Sequence, residues 1–356
     1  MNKTRTVIYT IFTVAAVAVT LYLNNGTTLE NSRENDTAEI FTTEVINGYT
    51  PVKNQGKSTL CWAYAMLAAI ETEHIMRGDS VHLSVKYAAR CLLEERSRQS
   101  YLTRDTVPVA MRGMGGTLLC VMERHGMVAY DAYRDDPEAD IMVLANKVKR
   151  TVHRAIRTRS RLGRTSGQVT ALLDETLGTA PRRVFMYGAE YTPGEFARSV
   201  CSPGEYVGLT SFTHHPFYTR FALEVPDNTE HNEFYNVPID TLMATIERAV
   251  RTGHGVCWES DTSEPGFSFH RGTATLPVSS DTSQEARQLA FERFSTTDDH
   301  CMSIVGLARD AHGRRFYIMK NSWGTNNPYG GLMYVSEDYM RMKTVAVYMV
   351  RMNGIS

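Results

Sequence analysis

Residues 51–71 read PVKNQGKSTLCWAYAMLAAIE. From Trp62 onward this stretch is apolar and rich in strong helix formers, and no glycine or proline follows until Gly78, which predicts a buried helix. Cys61 then lies at or near the N-terminus of the helix, where the aligned peptide dipoles favour an anion and lower the pKa of a thiol. Cysteines in apolar helices are more often inert packing, so the position alone indicates only a candidate thiolate nucleophile.

A base for such a thiolate is predicted in the segment 298–306, which reads DDHCMSIVG. The apolar run after His300 predicts a buried strand with the histidine at its start. Residues 315–320, RFYIMK, predict a second strand that ends just before Asn321. If the two strands pair as a hairpin, His300 and Asn321 lie at the same end, where the amide oxygen can orient the imidazole.

In chain order, PVKNQG, CWAYA, DH and KNSWG resemble the motifs of the papain-like cysteine peptidases. The stretch from Gly115-Gly116 through HGM at 125–127 to Tyr133 also resembles this family, in which a glycine pair lines the substrate cleft. The resemblance covers roughly residues 50–135 and 245–350. It implies an α+β fold with a helical lobe that carries the cysteine, a β-barrel-like lobe that carries the histidine and asparagine, and a cleft between them.

This resemblance implies a peptidase that acts on peptides or proteins through a Cys-His-Asn triad. Cys61 is the implied nucleophile, His300 the general base and acid, and Asn321 the residue that orients the imidazole. Gln55, six residues before Cys61, is the implied oxyanion-hole donor. The implied substrate-binding residues are Gly115, Gly116 and Trp323. Of these, Gly116 would pair with substrate backbone and Trp323 would shield the Asn–His hydrogen bond. No metal or organic cofactor is expected.

Several features resemble the bleomycin hydrolase/aminopeptidase C branch of the family. His300 follows Cys61 by 239 residues, whereas about 130–150 separate the pair in papain, so an insertion is expected at about 136–244. We interpret this inserted helical segment as mixed, with helices at its start and near 239–250. Ser58 stands where secreted members often carry a cysteine, and only a short linker precedes the enzyme core. The branch limits cleavage to peptide N-termini with a C-terminal arm. Here a tail of only residues 353–356 is expected, so endopeptidase and aminopeptidase activity both remain open.

The composition excludes several other classes of protein. The chain has 356 residues, 42% hydrophobic and 22% charged, with a formal net charge of −1, which argues against a disordered segment and against a dedicated nucleic-acid binder. The six cysteines are at least 29 residues apart, so neither a zinc ribbon nor a C-x-x-C redox motif is predicted. The resemblance described above implies one peptidase domain at 49–352.

The first residues predict a targeting segment. Lys3 and Arg5 precede an apolar run at 7–23 that is typical of a signal peptide or N-terminal membrane anchor. Residues 1–23 are therefore assigned to this segment and residues 24–48 to a polar linker. This arrangement predicts an extracytoplasmic enzyme, exported or held at the membrane.

The insertion contains a cluster of basic residues and a pair of histidines, and we assign no catalytic role to either. Eight basic residues and no acidic one lie between Lys147 and Arg164. We interpret them as a solvated helix face, with contact to nucleic acid or acidic lipid as the alternative, and expect no nucleic-acid partner. The pair His214-His215 lacks a third ligand at metal spacing, so we interpret it as structural or surface and expect no metal site.

Two other functions remain compatible with the same residues. An acyl transferase would use the same triad with an amine in place of water as acceptor. A non-catalytic peptide- or nucleic-acid-binding protein could keep the fold without the reaction. The sequence leaves open the side-chain preference and the oligomeric state.

Overall fold

The computed structural model describes residues 39–135, 139–186 and 188–352. The predicted targeting segment at 7–23 lies outside these residues, and none of the helices described is long and apolar enough to cross a membrane. The α-helices, in chain order, are α1 Cys61–Met76, α2 Val85–Leu102, α3 Gly115–His125, α4 Ile141–Arg157, α5 Leu162–Leu177, α6 Pro193–Val200, α7 Ile239–Arg251, α8 Gln284–Glu292 and α9 Glu337–Lys343. The strands are β1 Phe41–Ile46, β2 Val184–Met186, β3 Ala189–Tyr191, β4 Tyr206–Thr210, β5 Arg220–Ala222, β6 Glu233–Asn236, β7 Val256–Ser260, β8 Phe267–Ser268, β9 Thr273–Ala274, β10 His300–Asp310, β11 Arg315–Lys320, β12 Leu332–Ser336 and β13 Thr344–Val350.

In the described part of the chain, one large sheet holds eleven of the strands. Its order is β5-β6-β4-β13-β7-β10-β11-β12-β9-β8, and β1 pairs with β10 off this path. The path runs between two edges, so the described strands form an open, mixed sheet where a barrel-like lobe was expected. The long strand β10 lies at its centre and pairs antiparallel with β7, β11 and β1.

Helix α1 forms where the apolar stretch predicts it, and it contacts the sheet at β10 and β7. Almost the whole helix is buried, including Trp62, Met66 and Ile70, because it lies between the sheet and the other helices. The indole Nε1 of Trp62 donates to the carbonyl of Met111 at 3.0 Å, which satisfies the polar atom of this buried ring. The helix therefore holds its first residue in a fixed position against the sheet.

The apolar core has two large clusters. One surrounds α1 and α2 and continues into α4, α5 and α6. The other lies between α7 and the strands β7, β10 and β11. The two clusters correspond to a helical side that carries Cys61 and a β-rich side that carries His300 and Asn321.

The insertion contains both helices and strands. Helices α4 and α5 form at its start, as the sequence predicts, but β4 also pairs with β13 and β6 pairs parallel with β4. The insertion thereby extends the main sheet. Strands as short as YVGLT at 206–210 carry too little periodicity to be recognised from the sequence.

Part of the expected polar linker is also structured. Residues 41–46, FTTEVI, form β1 on β10. Most of their side chains are exposed, so this edge strand looks like a linker in composition although its backbone is paired.

Candidate active site

Cys61 is the first residue of α1. The residue before it, Leu60, occupies the N-cap and has no polar side chain to bond the first turn. The backbone N–H of Ala63 turns back to the Leu60 carbonyl at 2.9 Å. No side chain therefore caps the backbone N–H of Cys61. This N–H can donate a hydrogen bond to a negatively charged oxygen at the helix N-terminus.

His300 and Asn321 meet through the β10–β11 hairpin. His300 begins β10, Asn321 follows the end of β11, and Ser303 is the register partner of Lys320. The Nε2 atom of His300 lies 2.9 Å from the Oδ1 atom of Asn321, and both side chains are buried. Because an amide oxygen only accepts, Nε2 carries the proton, and Nδ1 is left to face the sulfur of Cys61.

The pKa of the Cys61 thiol is held well below its ordinary value. The largest cause is a hydrogen bond from the side chain of Cys301, and the hydrogen bond and charge of His300 act in the same direction. Burial opposes these effects without overcoming them. The site therefore favours a thiolate at Cys61, the form in which cysteine is a nucleophile.

Hydrogen bonds to Ser322 and Ser58 fix the backbone and the side-chain amide of Gln55. Its backbone N–H donates to the Ser322 carbonyl at 2.7 Å, and its Oε1 accepts from the Ser322 hydroxyl at 2.6 Å. Its Nε2 donates one hydrogen to the Ser58 carbonyl at 2.7 Å. An amide nitrogen has two hydrogens, so the second can donate to a substrate oxygen.

Trp323 covers the histidine. Its ring centroid lies 4.5 Å from that of His300. Phe267 and Phe269 contact the indole edge-to-face at 5.8 and 5.5 Å between centroids. These contacts limit the access of water to the His–Asn hydrogen bond.

Gly115 and Gly116 begin α3 and are buried. A Cβ at Gly116 would come within 2.5 Å of Asn232 Nδ2 and 2.6 Å of the Tyr348 hydroxyl, so this glycine permits a close approach of side chains. The backbone N–H of Gly115 donates to Oε1 of Glu259 at 2.5 Å. Pairing with substrate backbone stays a prediction for Gly116, and substrate binding stays a prediction for Gly115.

Two residues near the site were missed from the sequence. Cys301 follows His300 directly, and its Sγ lies 2.6 Å from Oε2 of Glu259. Glu259 is a buried carboxyl on β7, opposite Cys301 in register. The sequence did single out Glu259, because it is the only charged residue in the otherwise uncharged strand VCWES.

The histidine pair in the insertion has a third neighbour. Nε2 of His214 and of His215 lie 3.2 and 2.7 Å from the Glu224 carboxylate, and the three ligand atoms lie within 4.8 Å of one another. The amide Nε2 of Gln288, however, donates to Nδ1 of His214 at 3.1 Å and to Glu292 at 2.9 Å. In this arrangement the His214 proton is therefore on Nε2, which pairs with the Glu224 carboxylate.

Known proteins are similar to this chain in sequence and in fold. The model of the Peptidase C1-like family matches residues 186–352, which contain His300 and Asn321. The chain is similar to ananain from Ananas comosus, with 20% identity over 290 residues that cover 81% of this chain and 53% of ananain. It thus spans about half the length of that relative.

Among solved structures, the chain is similar to PepW from Lactobacillus rhamnosis HN001. The TM-score is 0.68 at 16% identity, and the match covers 95% of this chain and 88% of PepW. This likeness confirms the expected α+β fold. Together the findings show that the chain is similar in sequence to the Peptidase C1-like family over residues 186–352 and has the α+β fold of PepW.

Proposed function

We propose that the chain hydrolyses peptide bonds through an acyl-enzyme formed on Cys61. The observation that carries this proposal is the His300–Asn321 hydrogen bond at 2.9 Å beside a thiol whose pKa is lowered. The arrangement supplies a nucleophile, a base and a group that orients the base, as covalent catalysis requires.

In the first half of the reaction, the Cys61 thiolate attacks the carbonyl carbon and the C=O electron pair moves to oxygen. The free N–H of Gln55 and the backbone N–H of Cys61 donate to this oxyanion. When the tetrahedral intermediate collapses, the C–N bond breaks, and the His300 imidazolium gives its Nδ1 proton to the leaving amine. The products of this half are a free amine and a thioester on Cys61.

In the second half, His300 takes a proton from water at Nδ1, and the hydroxide so formed attacks the thioester carbonyl. Collapse of the second intermediate releases the carboxylic acid and restores the thiolate–imidazolium pair. The hydrogen bond to Asn321 keeps Nε2 protonated throughout, so Nδ1 remains the nitrogen that exchanges the proton.

The first test uses one peptide prepared with a free and with an acetylated N-terminus. Cleavage by the full chain, loss of cleavage in Cys61→Ala and block by a thiol-directed inhibitor are the expected results. Internal cleavage of the acetylated peptide identifies an endopeptidase, whereas stepwise release from the free form alone identifies an aminopeptidase. Labelling of Cys61 by the inhibitor with neither peptide cut would overturn peptide hydrolysis. A competing amine in the same assay detects acyl transfer.

We assign the enzyme more finely to the bleomycin hydrolase/aminopeptidase C type. The support is the long insertion between Cys61 and His300 and the serine at position 58. An aminopeptidase outcome in the peptide test supports this assignment.

The proposed location is extracytoplasmic, on the evidence of the basic start and the apolar run at 7–23. Protease protection of intact cells or spheroplasts tests it. Digestion of the peptidase domain from outside is expected, and full protection in intact spheroplasts would overturn the proposal.

A further inference from the structure

The loop at 223–232 connects β5 to β6 and lies against the start of α3. A Cβ on Gly116 would lie 2.5 Å from Asn232 Nδ2, so the loop contacts this glycine directly. Glu230 Oε1 lies 2.7 Å from Arg96 Nη2, which ties the loop to α2 as well. The loop therefore covers the glycine at which pairing with substrate backbone is predicted.

The same loop is also bonded to the β-rich side, close to the general base. The backbone N–H of Asp227 donates to Oδ2 of Asp298 at 2.8 Å, and Asp298 lies two residues before His300. Arg112, three residues before α3, reaches both aspartates. Its Nε lies 2.6 Å from Asp227 Oδ1, and its Nη2 donates to the Asp298 carbonyl at 3.2 Å. Arg112, Asp227 and Asp298 thus form a bar from the segment before α3 to the segment before β10.

The bar lies beside the nucleophile. Met111, which directly precedes the arginine of the bar, accepts the hydrogen bond of the Trp62 indole at 3.0 Å, and Trp62 directly follows Cys61. The other end of the bar is two residues from His300, so the bar joins the two segments that flank the Cys61–His300 pair. A peptide that lies along Gly116 toward Cys61 meets the bar and the loop, so this end of the cleft accepts only a chain terminus.

The bar carries more negative than positive charge, because it has two carboxyl groups and one guanidinium. Asp227 gives Oδ1 to Arg112, while its Oδ2 accepts no hydrogen bond from any residue that the structure describes. The Asp227 side chain is 14% exposed, which leaves it within reach of a ligand. Burial is the main cause that raises the pKa of Asp227 to about 6, so most of the group is carboxylate at neutral pH. Such an oxygen attracts an ammonium group and repels a second carboxylate.

We propose that the 223–232 loop closes the cleft at its Gly116 end and that the Asp227 carboxylate binds the α-ammonium group of the substrate. The closure admits only a chain terminus, and the charge of the bar selects the amino terminus. The chain then removes residues from the N-termini of peptides and needs no C-terminal arm to do so. This inference rests on the proposed hydrolysis at Cys61 and specifies its substrates as peptides with a free amino terminus.

The first experiment measures binding, so it does not depend on turnover. The full chain with Cys61→Ala is titrated at pH 7 with one fluorescent peptide that has either a free or an acetylated N-terminus, and fluorescence anisotropy gives Kd. The free form is expected to bind about 10–100-fold more tightly, the effect of a hydrogen bond between charged groups. Equal Kd values for the two forms would overturn the proposal.

Asp227→Asn, made in the same Cys61→Ala chain, is expected to abolish this preference. The amide oxygen can still accept from Arg112, but no negative charge remains for the ammonium group. Asp338→Asn, which neutralises an exposed carboxylate on α9, is the matched control and should keep the preference. A preference that persists in Asp227→Asn would remove Asp227 from the role.

A shortened loop tests the closure itself. Nδ2 of Asn228 donates to the carbonyls of Leu223 and Asn232, each at 3.0 Å, so the ends of the loop lie close together and Gly-Gly can replace residues 226–231. This variant of the active chain is expected to cut internal bonds of the acetylated peptide that the unaltered chain leaves intact. A shortened chain that is folded by circular dichroism and cuts the free form, yet leaves the acetylated form uncut, would overturn closure by the loop.

The inference and the proposed hydrolysis fail in different ways. Tighter binding of the free form with no cleavage of either peptide by the active chain retains the role of the loop and contradicts hydrolysis. Internal cleavage of the acetylated peptide by the unaltered chain contradicts the closure and retains hydrolysis.

Discussion

The Nε2 atom of His300 lies 2.9 Å from Oδ1 of Asn321, although 21 residues separate them in the chain. The β10–β11 hairpin produces this contact by returning the chain to the same end of the sheet. The Asn321 oxygen also accepts from the Ser322 N–H at 2.7 Å, so the amide is held in one orientation before it orients the imidazole. Both side chains are buried, which strengthens the bond by excluding competing water.

Asn321→Ala is expected to lower kcat by about 10–100-fold, a part of the 10²–10⁴-fold that a positioned general acid and base contributes. Without the amide oxygen, the imidazole can adopt the other tautomer or rotate away from Cys61. Steady-state kinetics on a fluorogenic peptide measure the effect. Asn326→Ala, on the exposed part of the following loop, is the matched control and should keep the activity. Equal activity of the two variants would remove Asn321 from this role.

Gln55→Ala is expected to lower kcat by about 10²–10³ with a smaller change in KM, because the lost donor acts on the oxyanion of the transition state. Ser322→Ala should give a weaker loss, since the Ser322 hydroxyl only holds the Gln55 Oε1 in place at 2.6 Å. Comparison of kcat and KM for the two variants separates the effects. A Gln55→Ala enzyme with an unchanged kcat would show that the backbone amide of Cys61 acts alone.

The sequence was sufficient to predict the helix that begins at Cys61 and the contact between His300 and Asn321. Helix α1, the hairpin and the meeting of His300 with Asn321 follow from apolar runs with clear ends, which is the strongest signal a single sequence carries. The contact between Cys301 and Glu259 depends on the register of β10 against β7, strands that are about 40 residues apart in the chain. The pattern of apolar residues within β7 or within β10 does not determine which residue of one strand lies opposite which residue of the other.

Cys61 is expected to react with iodoacetamide at pH 6 far faster than the other five cysteines. Because its pKa is lowered, Cys61 has a larger thiolate fraction at pH 6 than an ordinary cysteine, and the thiolate is the form that iodoacetamide alkylates. Burial raises the pKa of both Cys91 and Cys201 to about 12, which leaves a thiolate fraction of about one in 10⁶ at this pH. Tryptic mapping after a short pulse measures the selectivity, and Cys61→Ala should abolish the fast phase. Comparable labelling of all six would contradict a lowered pKa at Cys61.

Glu71→Ala is expected to lower the free energy of unfolding by about 3–5 kcal/mol, the effect of breaking a buried ion pair from one side. Glu71 lies inside α1, accepts from the Leu83 N–H at 2.8 Å and from the Thr50 hydroxyl, and its carboxylate is 3.8 Å from Lys320 Nζ. The substitution leaves Lys320 buried without a carboxylate and the Leu83 N–H without its acceptor. Because Lys320 directly precedes Asn321, the same loss should reduce activity as the end of β11 loosens.

Urea unfolding followed by tryptophan fluorescence measures this change. The control is Glu123→Ala, an exposed carboxylate on α3, for which a change within about 0.5 kcal/mol is expected. If Glu71→Ala unfolded at the same urea concentration as that control, the network of Glu71, Lys320 and Thr50 would not hold α1 against the strand that carries Asn321. The position of Cys61 relative to the histidine would then depend on apolar packing alone.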